Sequence, residues 1–420
     1  IRYNITAGIA PFTVTITPAV HAPQNHSALG NYFFTNIPDN NYTIEVTDSV
    51  GCNISFNVSV QCNTTTTTAL PTTTTTTLQE TTTTTTPIAT TTTSTTCVIE
   101  TDINCVSSSN AASYQTTPTY DGSGEAVHPD IYYNASGWNG YKYWMVMTPY
   151  PGGNESYENP SIIVSNNGVS WSVPAGLTNP LYPDPVGTGH NLDPDIFMGN
   201  DSKLWIIFVT LEDDGIRNVR VISSSDGINW STPTVILTHP SAYNVLSPSV
   251  ITENGGYIMW AVDISSGSAV LKRRTASTPD GTWSSATTCN LTGLSAGRYI
   301  WHLDVIKYGG DYHMLLVSSS VDGNASNTKL NFAVSCDQIN WEVKSTAIIE
   351  QSIGGWDDSL VYRASAVLMN NGANDYYDLW YSAMSSTNEW HIGKTTINLV
   401  CGATTTTTPV PTTTTTTTPV

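Results

Sequence analysis

Hydrophobic and polar residues alternate strictly near the start of the chain. Phe12, Val14 and Ile16 interleave with Thr13, Thr15 and Thr17, then come Tyr42, Ile44 and Val46, then Ile54, Phe56, Val58 and Val60. A period of two places one set on each face of a strand, so the pattern predicts half-buried antiparallel strands. Turn chemistry at Pro38-Asp39-Asn40-Asn41 and at Asp48-Ser49-Val50-Gly51 separates them. A small β-sandwich over residues 1–62 accounts for this stretch. The alternation then stops, because residues 63–96 and 403–420 are nearly all threonine with a few prolines. Such tracts cannot bury a core. Extended at about 3.1 Å per residue, the first would reach roughly 100 Å.

Between residues 107 and 400 the pattern repeats. Each of five copies opens on a short apolar strand: His128-Pro129-Asp130-Ile131, Asp193-Pro194-Asp195-Ile196, Ser247-Pro248-Ser249-Val250, His302-Leu303-Asp304-Val305 and Tyr362-Arg363-Ala364-Ser365. An aromatic-rich strand follows, as in YKYWMVMT and KLWIIFVT, and a serine-rich turn then leads to Trp171, Trp230, Trp283 and Trp341 in the first four copies. These tryptophans lie 59, 53 and 58 residues apart. Four strands in 50–60 residues, repeated five times, predict a five-bladed β-propeller over residues 97–402, so the fold class is all-β. The fifth copy lacks the serine turn and tryptophan, and residues 107–120 are the available source of its outer strand.

Composition changes the picture in three ways. Only 11% of residues are charged, and 14 Lys and Arg against 33 Asp and Glu give a net charge of -19, which argues against nucleic acid as a partner. No window is long and apolar enough for a membrane span, and the chain opens at Ile1 without a signal peptide, as a mature or excised segment would. The seven cysteines form no CxxC pair and no Cys/His cluster at zinc spacing, which favours disulfides over a metal centre. Cys97 or Cys105 with Cys401 would staple ring closure, and Cys289 with Cys336 would link blades. Sequons stand at Asn4, Asn25, Asn41, Asn53, Asn57, Asn63, Asn134, Asn154, Asn200, Asn229, Asn290 and Asn324. Thr64, Thr65, Thr66, Thr72, Thr73, Thr81, Thr82, Thr404 and Thr405 are representative candidates for O-glycosylation in the tracts, which then read as stiff, mucin-like stalks.

Three resemblances sharpen these expectations. The segments GIAPFTVTITP, NIPDNNYTIEVTDSVGC and FNVSVQC resemble the immunoglobulin-like repeat domains of SprB-type bacterial surface adhesins over residues 1–62. The serine-turn-tryptophan units resemble the Asp-box of sialidases, but are one residue shorter and lack a matching arginine triad. Five blades with Asp in the first two copies resemble the furanosidase and arabinanase superfamily of glycoside hydrolase families 43, 62 and 32. That likeness implies Asp130 as a base and Asp193 or Asp195 as the residue that orients it. It also implies a glutamate acid on a later blade, which this chain lacks; Asp304 or Glu158 would have to substitute.

In a propeller the opening strands line the channel, so His128, Asp130, Asp193, Asp195, His302, Asp304 and Arg363 should converge. Trp138, Tyr150, Glu158 and Trp301 lie close to them in sequence and suit a sugar-binding mouth. The carboxylates could alternatively bond backbone amides or hold a structural calcium. The segment HPDIYYNASGWNGYKYWMVMTPYPGGNESYENPSI also resembles propeller proteins of bacteria and phages, some of them surface or tail components. The primary reading is therefore an extracellular, glycosylated surface protein, fibre subunit or virion appendage that self-assembles and displays a glycan-binding propeller. The alternative is a secreted glycoside hydrolase acting through axial carboxylates.

Overall fold

In the computed structural model the chain divides into two compact units, Ile1–Thr93 and Ser94–Val420. The structure describes residues 2–5, 10, 12–19, 23–27, 30–33, 40–50, 53–60, 99–183, 189–239, 245–264, 269–320 and 327–400. Both threonine tracts, Asn63, Asn324, Cys97 and Cys401 lie outside them.

The first unit holds a four-stranded antiparallel sheet in the order Gln24–His26, Phe12–Thr17, Asn40–Thr47, Asn53–Val60. Arg2–Ile5 pairs with Gly30–Phe33 in a separate two-stranded sheet. Phe12, Val14, Ile16, Tyr42 and Ile44 are buried, as the alternation predicts.

The second unit is a five-bladed β-propeller. Its innermost strands are β1 (Ala126–Trp138), β2 (His190–Met198), β3 (Leu246–Glu253), β4 (Arg298–Tyr308) and β5 (Leu360–Asn370). Each pairs antiparallel with the next strand of its own blade. Ser107–Ser108 pairs with Trp390–Asn398 as the outermost strand of the fifth blade, so the start of the propeller closes its end. Asp311 secures this closure by accepting the Glu100 and Thr101 amides on Oδ2 at 2.9 and 2.8 Å.

The serine turns clamp neighbouring blades. Ser224 Oγ accepts the Gly227 amide while Asp226 accepts those of Ile228 and Asn229, and the Asn229 side chain itself bonds Asp226. Gly227 has φ +75°, and a Cβ there would lie 2.2 Å from the Trp144 ring of the first blade. The equivalent turn at Gly168 accepts the Trp380 indole of the fifth blade at 3.1 Å. The tryptophan-turn unit is thus a structural part of the ring.

Cys105 and Cys336 each take part in a disulfide, in neither case with Cys289. The expected Cys289–Cys336 bridge is not formed. Cys289 is a free thiol, buried and held up to about 11 chiefly by that burial.

Candidate functional site

The channel chemistry begins with a backbone irregularity shared by all five innermost strands. Their pairing registers break between Val127 and Asp130, Leu192 and Asp195, Leu246 and Ser249, Ile300 and His302, and Val361 and Ala364. In β1, β2 and β3 the residue at the break takes a left-handed conformation, with φ of 55° at His128, 51° at Asp193 and 45° at Ser247. Proline follows each one. Having no N–H to place in a ladder, proline is tolerated at a bulge. Non-glycine residues at positive φ carry strain that the surrounding structure must hold, and such strain clusters at functional sites. The bulges sort the side chains into two layers.

The layer two residues along each strand contains Asp130, Asp195, Ser249, Asp304 and Ser365, and its bonds run from blade to blade. Asp130 Oδ2 accepts the Ile196 amide at 2.6 Å, Asp195 Oδ2 the Val250 amide at 3.0 Å, and Ser249 Oγ the Val305 amide at 3.0 Å. Ser249 donates to Asp304 Oδ1 at 3.1 Å, and Ser365 donates to Asp130 Oδ1 at 2.6 Å. Both Asp130 oxygens are therefore engaged in joining blades. Asp130, Asp195 and Asp304 bring one carboxylate oxygen each within 4.8 Å of the others. Burial, then the charges of Asp130 and Asp304, push Asp195 well above the usual carboxylate range. Burial and Asp130 push Asp304 up to about 7.

The layer at the bulges gathers His128, Asp193, Ser247, His302 and Arg363. Asp193 Oδ1 lies 3.2 Å from His128 Nε2, 3.2 Å from His302 Nδ1 and 3.6 Å from Arg363 Nη1. Burial alone would raise Asp193, but His128, His302 and Arg363 hold its carboxyl well below the usual range. Burial also lowers both histidines, so the rings stay neutral beside an ionised carboxylate. Glu158 enters from the loop of residues 150–160, with Oε1 3.4 Å from His128 Nδ1 and Oε2 3.7 Å from His190 Nε2. Burial, then Asp193 and Glu155, push Glu158 well above the usual range.

This layer fits a divalent metal. One ligand atom each from His128, Asp193 and His302 lies within 4.8 Å of the others. Thr148 Oγ1 holds His128 Nδ1 at 3.0 Å and Ser247 Oγ holds His302 Nδ1 at 2.5 Å. His302 Nε2 is buried without a hydrogen-bond partner, and His128 Nε2, 3.2 Å from Asp193 Oδ1, is buried outside hydrogen-bond geometry. A buried polar atom left unpaired costs about 1–3 kcal/mol. Two such nitrogens beside an ionised carboxylate form the His/carboxylate donor set of a catalytic zinc-type site with open positions.

Sequence reasoning brought the right strands to the axis but did not separate the layers. His128, Asp193, His302, Arg363 and Glu158 meet in one cluster; Asp130, Asp195 and Asp304 meet in the other. Trp301 flanks His302 with ring centroids 5.7 Å apart. Tyr150 packs on Trp390 at 5.1 Å. Trp138 sits at the far end of β1 against Trp144 at 5.0 Å, away from the cluster. Thr148, Ser247, His190 and Tyr362, whose ring lies 4.4 Å from His302, were missed. His190 stands three residues before Asp193 in the same strand, and that His-x-x-Asp spacing was its one visible signal.

No protein-family model matches the chain. Over 350 residues the chain is 28% identical to the A type blood N-acetyl-alpha-D-galactosamine deacetylase of Flavonifractor plautii, covering 70% of this chain. It spans about half of that relative, 45% of its length. The crystal structure of an N-acetylgalactosamine deacetylase from F. plautii in complex with blood group B trisaccharide superposes with a TM-score of 0.64 at 24% identity, over 69% of this chain and 95% of that one. A glycoside hydrolase structure superposes with a TM-score of 0.51 at 16% identity, over 69% of this chain and 92% of that one. The propeller fold is thus shared with carbohydrate-active enzymes. The curated relative overturns the expectation of a structural fibre or adhesin subunit and favours the enzymatic alternative.

Proposed function

We propose that the propeller is a metal-assisted hydrolase that removes the N-acetyl group from an amino sugar of a glycan, and that it acts outside the cell. The observation that carries this reading is the His128–Asp193–His302 cluster, whose two buried ring nitrogens lack hydrogen-bond partners. The deacetylase of F. plautii supplies the reaction class. A pair of carboxylates free to flank a glycosidic bond, as glycoside hydrolysis requires, is not what the bulge layer offers. There Asp193 is the one strand-borne carboxylate, enclosed by two imidazoles and a guanidinium. Disulfide-bonded Cys105 and Cys336 support an oxidising, extracellular setting.

His128, Asp193 and His302 would hold the metal, which when bound lowers the pKa of water and polarises a carbonyl. Together with His128 and His302, Arg363, whose Nη1 lies 3.6 Å from Asp193 Oδ1, holds that carboxyl low. Glu158, raised well above the usual carboxylate range by burial, would hold a proton beside His128 and His190. In amide hydrolysis water adds to the acetyl carbon, the C–N bond breaks, and the leaving nitrogen must gain a proton. Glu158 is the group placed to deliver it.

The test is acetate release from N-acetylated mono- and oligosaccharides by the full chain, with Zn2+ supplied or removed by a chelator. Metal-dependent acetate release is expected. No acetate, together with reducing sugar released from arabinan or xylan, would replace this reading with glycoside hydrolysis.

A further inference from the structure

The metal reading requires His302 Nε2 to present a lone pair, which depends on which ring nitrogen carries the proton. We infer that Ser247 is a positioning residue that fixes His302 as the Nδ1–H tautomer. The inference follows from counting protons around Ser247, and only its consequence for metal affinity rests on the proposed function.

Ser247 is fully buried on β3 in the left-handed conformation that its bulge imposes. Its amide donates to Asp193 Oδ2 at 3.0 Å and its hydroxyl donates to Asp193 Oδ1 at 3.3 Å. An ionised carboxylate can only accept, so where the hydroxyl donates to Asp193 its single proton is used there. The same Oγ lies 2.5 Å from His302 Nδ1. With its proton directed elsewhere, Oγ meets Nδ1 as an acceptor, so Nδ1 must carry the hydrogen. Asp193 Oδ1, 3.2 Å from Nδ1, is a second acceptor and asks for the same tautomer. Nε2 is then left as a bare lone pair, buried and without a hydrogen-bond partner. Hydrogen bonds of this kind to the distal nitrogen of a metal-ligating histidine set its orientation, and their loss typically weakens metal binding by about 10–100-fold.

The experiment uses the full chain with Ser247→Ala and Ser247→Gly. Both remove the hydroxyl, and glycine also relieves the positive φ, so a shared effect cannot come from backbone strain. Two quantities are read: the Zn2+ dissociation constant by competition with a chromophoric chelator, and the His302 tautomer in the apoprotein from 15N-histidine two-bond correlation spectra. The expected result is an Nδ1–H signature in the parent chain that gives way to a mixture of tautomers in both variants, where Asp193 Oδ1 at 3.2 Å is the acceptor left to Nδ1, with Zn2+ bound about 10–100-fold more weakly by each. Parent and variant affinities within threefold of one another would overturn the inference, as would an Nε2–H signature in the parent chain. If the parent chain binds no Zn2+, the metal reading fails by itself, and the tautomer spectra still decide the role of Ser247.

Discussion

His313 gives the propeller an acid-sensitive seam. It lies fully buried on Asp311–Ser320, with Nε2 2.8 Å from Thr101 Oγ1 and Nδ1 2.8 Å from the Tyr377 hydroxyl. It therefore joins the fourth blade to the fifth and to the segment that enters the ring. Tyr308 stacks on it at 4.7 Å. Burial lowers His313 to about 4, whereas in the unfolded chain it returns to about 6.5. The folded value is the depressed one, so this contribution to stability is complete above pH ~6.5 and is lost as pH falls towards 4. Each pH unit in that window removes up to about 1.4 kcal/mol, so the full window removes about 3 kcal/mol. Urea unfolding at pH 7.5, 6.5, 5.5 and 4.5, followed by tryptophan fluorescence, measures it. All 12 tryptophans lie at or beyond Trp138, so the signal reports the propeller alone. His313→Gln should flatten the dependence by about 1 kcal/mol per unit below pH 6.5. Identical slopes for the two proteins would show that His313 is not held neutral by the fold.

Three further outcomes follow from the packing and the layers. Gly227→Ala should lower stability by about 3 kcal/mol or more through the clash with Trp144, whereas Gly122→Ala, with φ +80° and open space, should cost only about 1 kcal/mol in urea unfolding. Glu158→Gln should reduce acetate release by about 100-fold or more while leaving Zn2+ affinity within a few fold, because it removes a proton donor and no ligand. Asp130→Asn should lower the melting temperature by disturbing the bonds to Ile196 and Ser365 yet keep turnover within about tenfold, whereas Asp193→Asn should abolish Zn2+ binding in the same titration.

The repeat was legible because each blade spends the same residues on the same tasks. The serine turn needs a hydroxyl and an Asx side chain, and the indole packs where a Cβ would not fit at Gly227. Ring closure was legible from a shortage, since the fifth copy had one strand too few and Ser107–Ser108 supplied it. The layers were not legible. Strict alternation would put residues 128 and 130 on one face in equivalent settings, but the bulge between Val127 and Asp130 gives them different partners. Glu158 comes from a loop, and its approach to His128 depends on tertiary geometry that no local pattern encodes. The stranded Cys289 was hidden for the same reason, because pairing depends on which strand edges meet.

Asp193 and Asp195 show how the bulge divides chemistry from architecture. They sit two residues apart on one strand, and both are buried. Asp193 is hemmed by two imidazoles and a guanidinium and is held ionised, while Asp195 faces Asp130 and Asp304 and is driven towards its neutral form. A regular strand would have passed both carboxylates to the same neighbours. The left-handed turn at Asp193 lifts one into a layer of two imidazoles and a guanidinium and leaves the other to accept the Val250 amide from the next blade. The strain at His128, Asp193 and Ser247 is thus borne by three of the strands that hold or orient the candidate metal ligands, while His302 on β4 carries none. The proline after each of the three strained residues removes an N–H that the bulge could not have paired. A carboxylate-rich channel in this fold is therefore not by itself a glycosidase site: the bulge decides which carboxylates can meet a substrate and which join the blades.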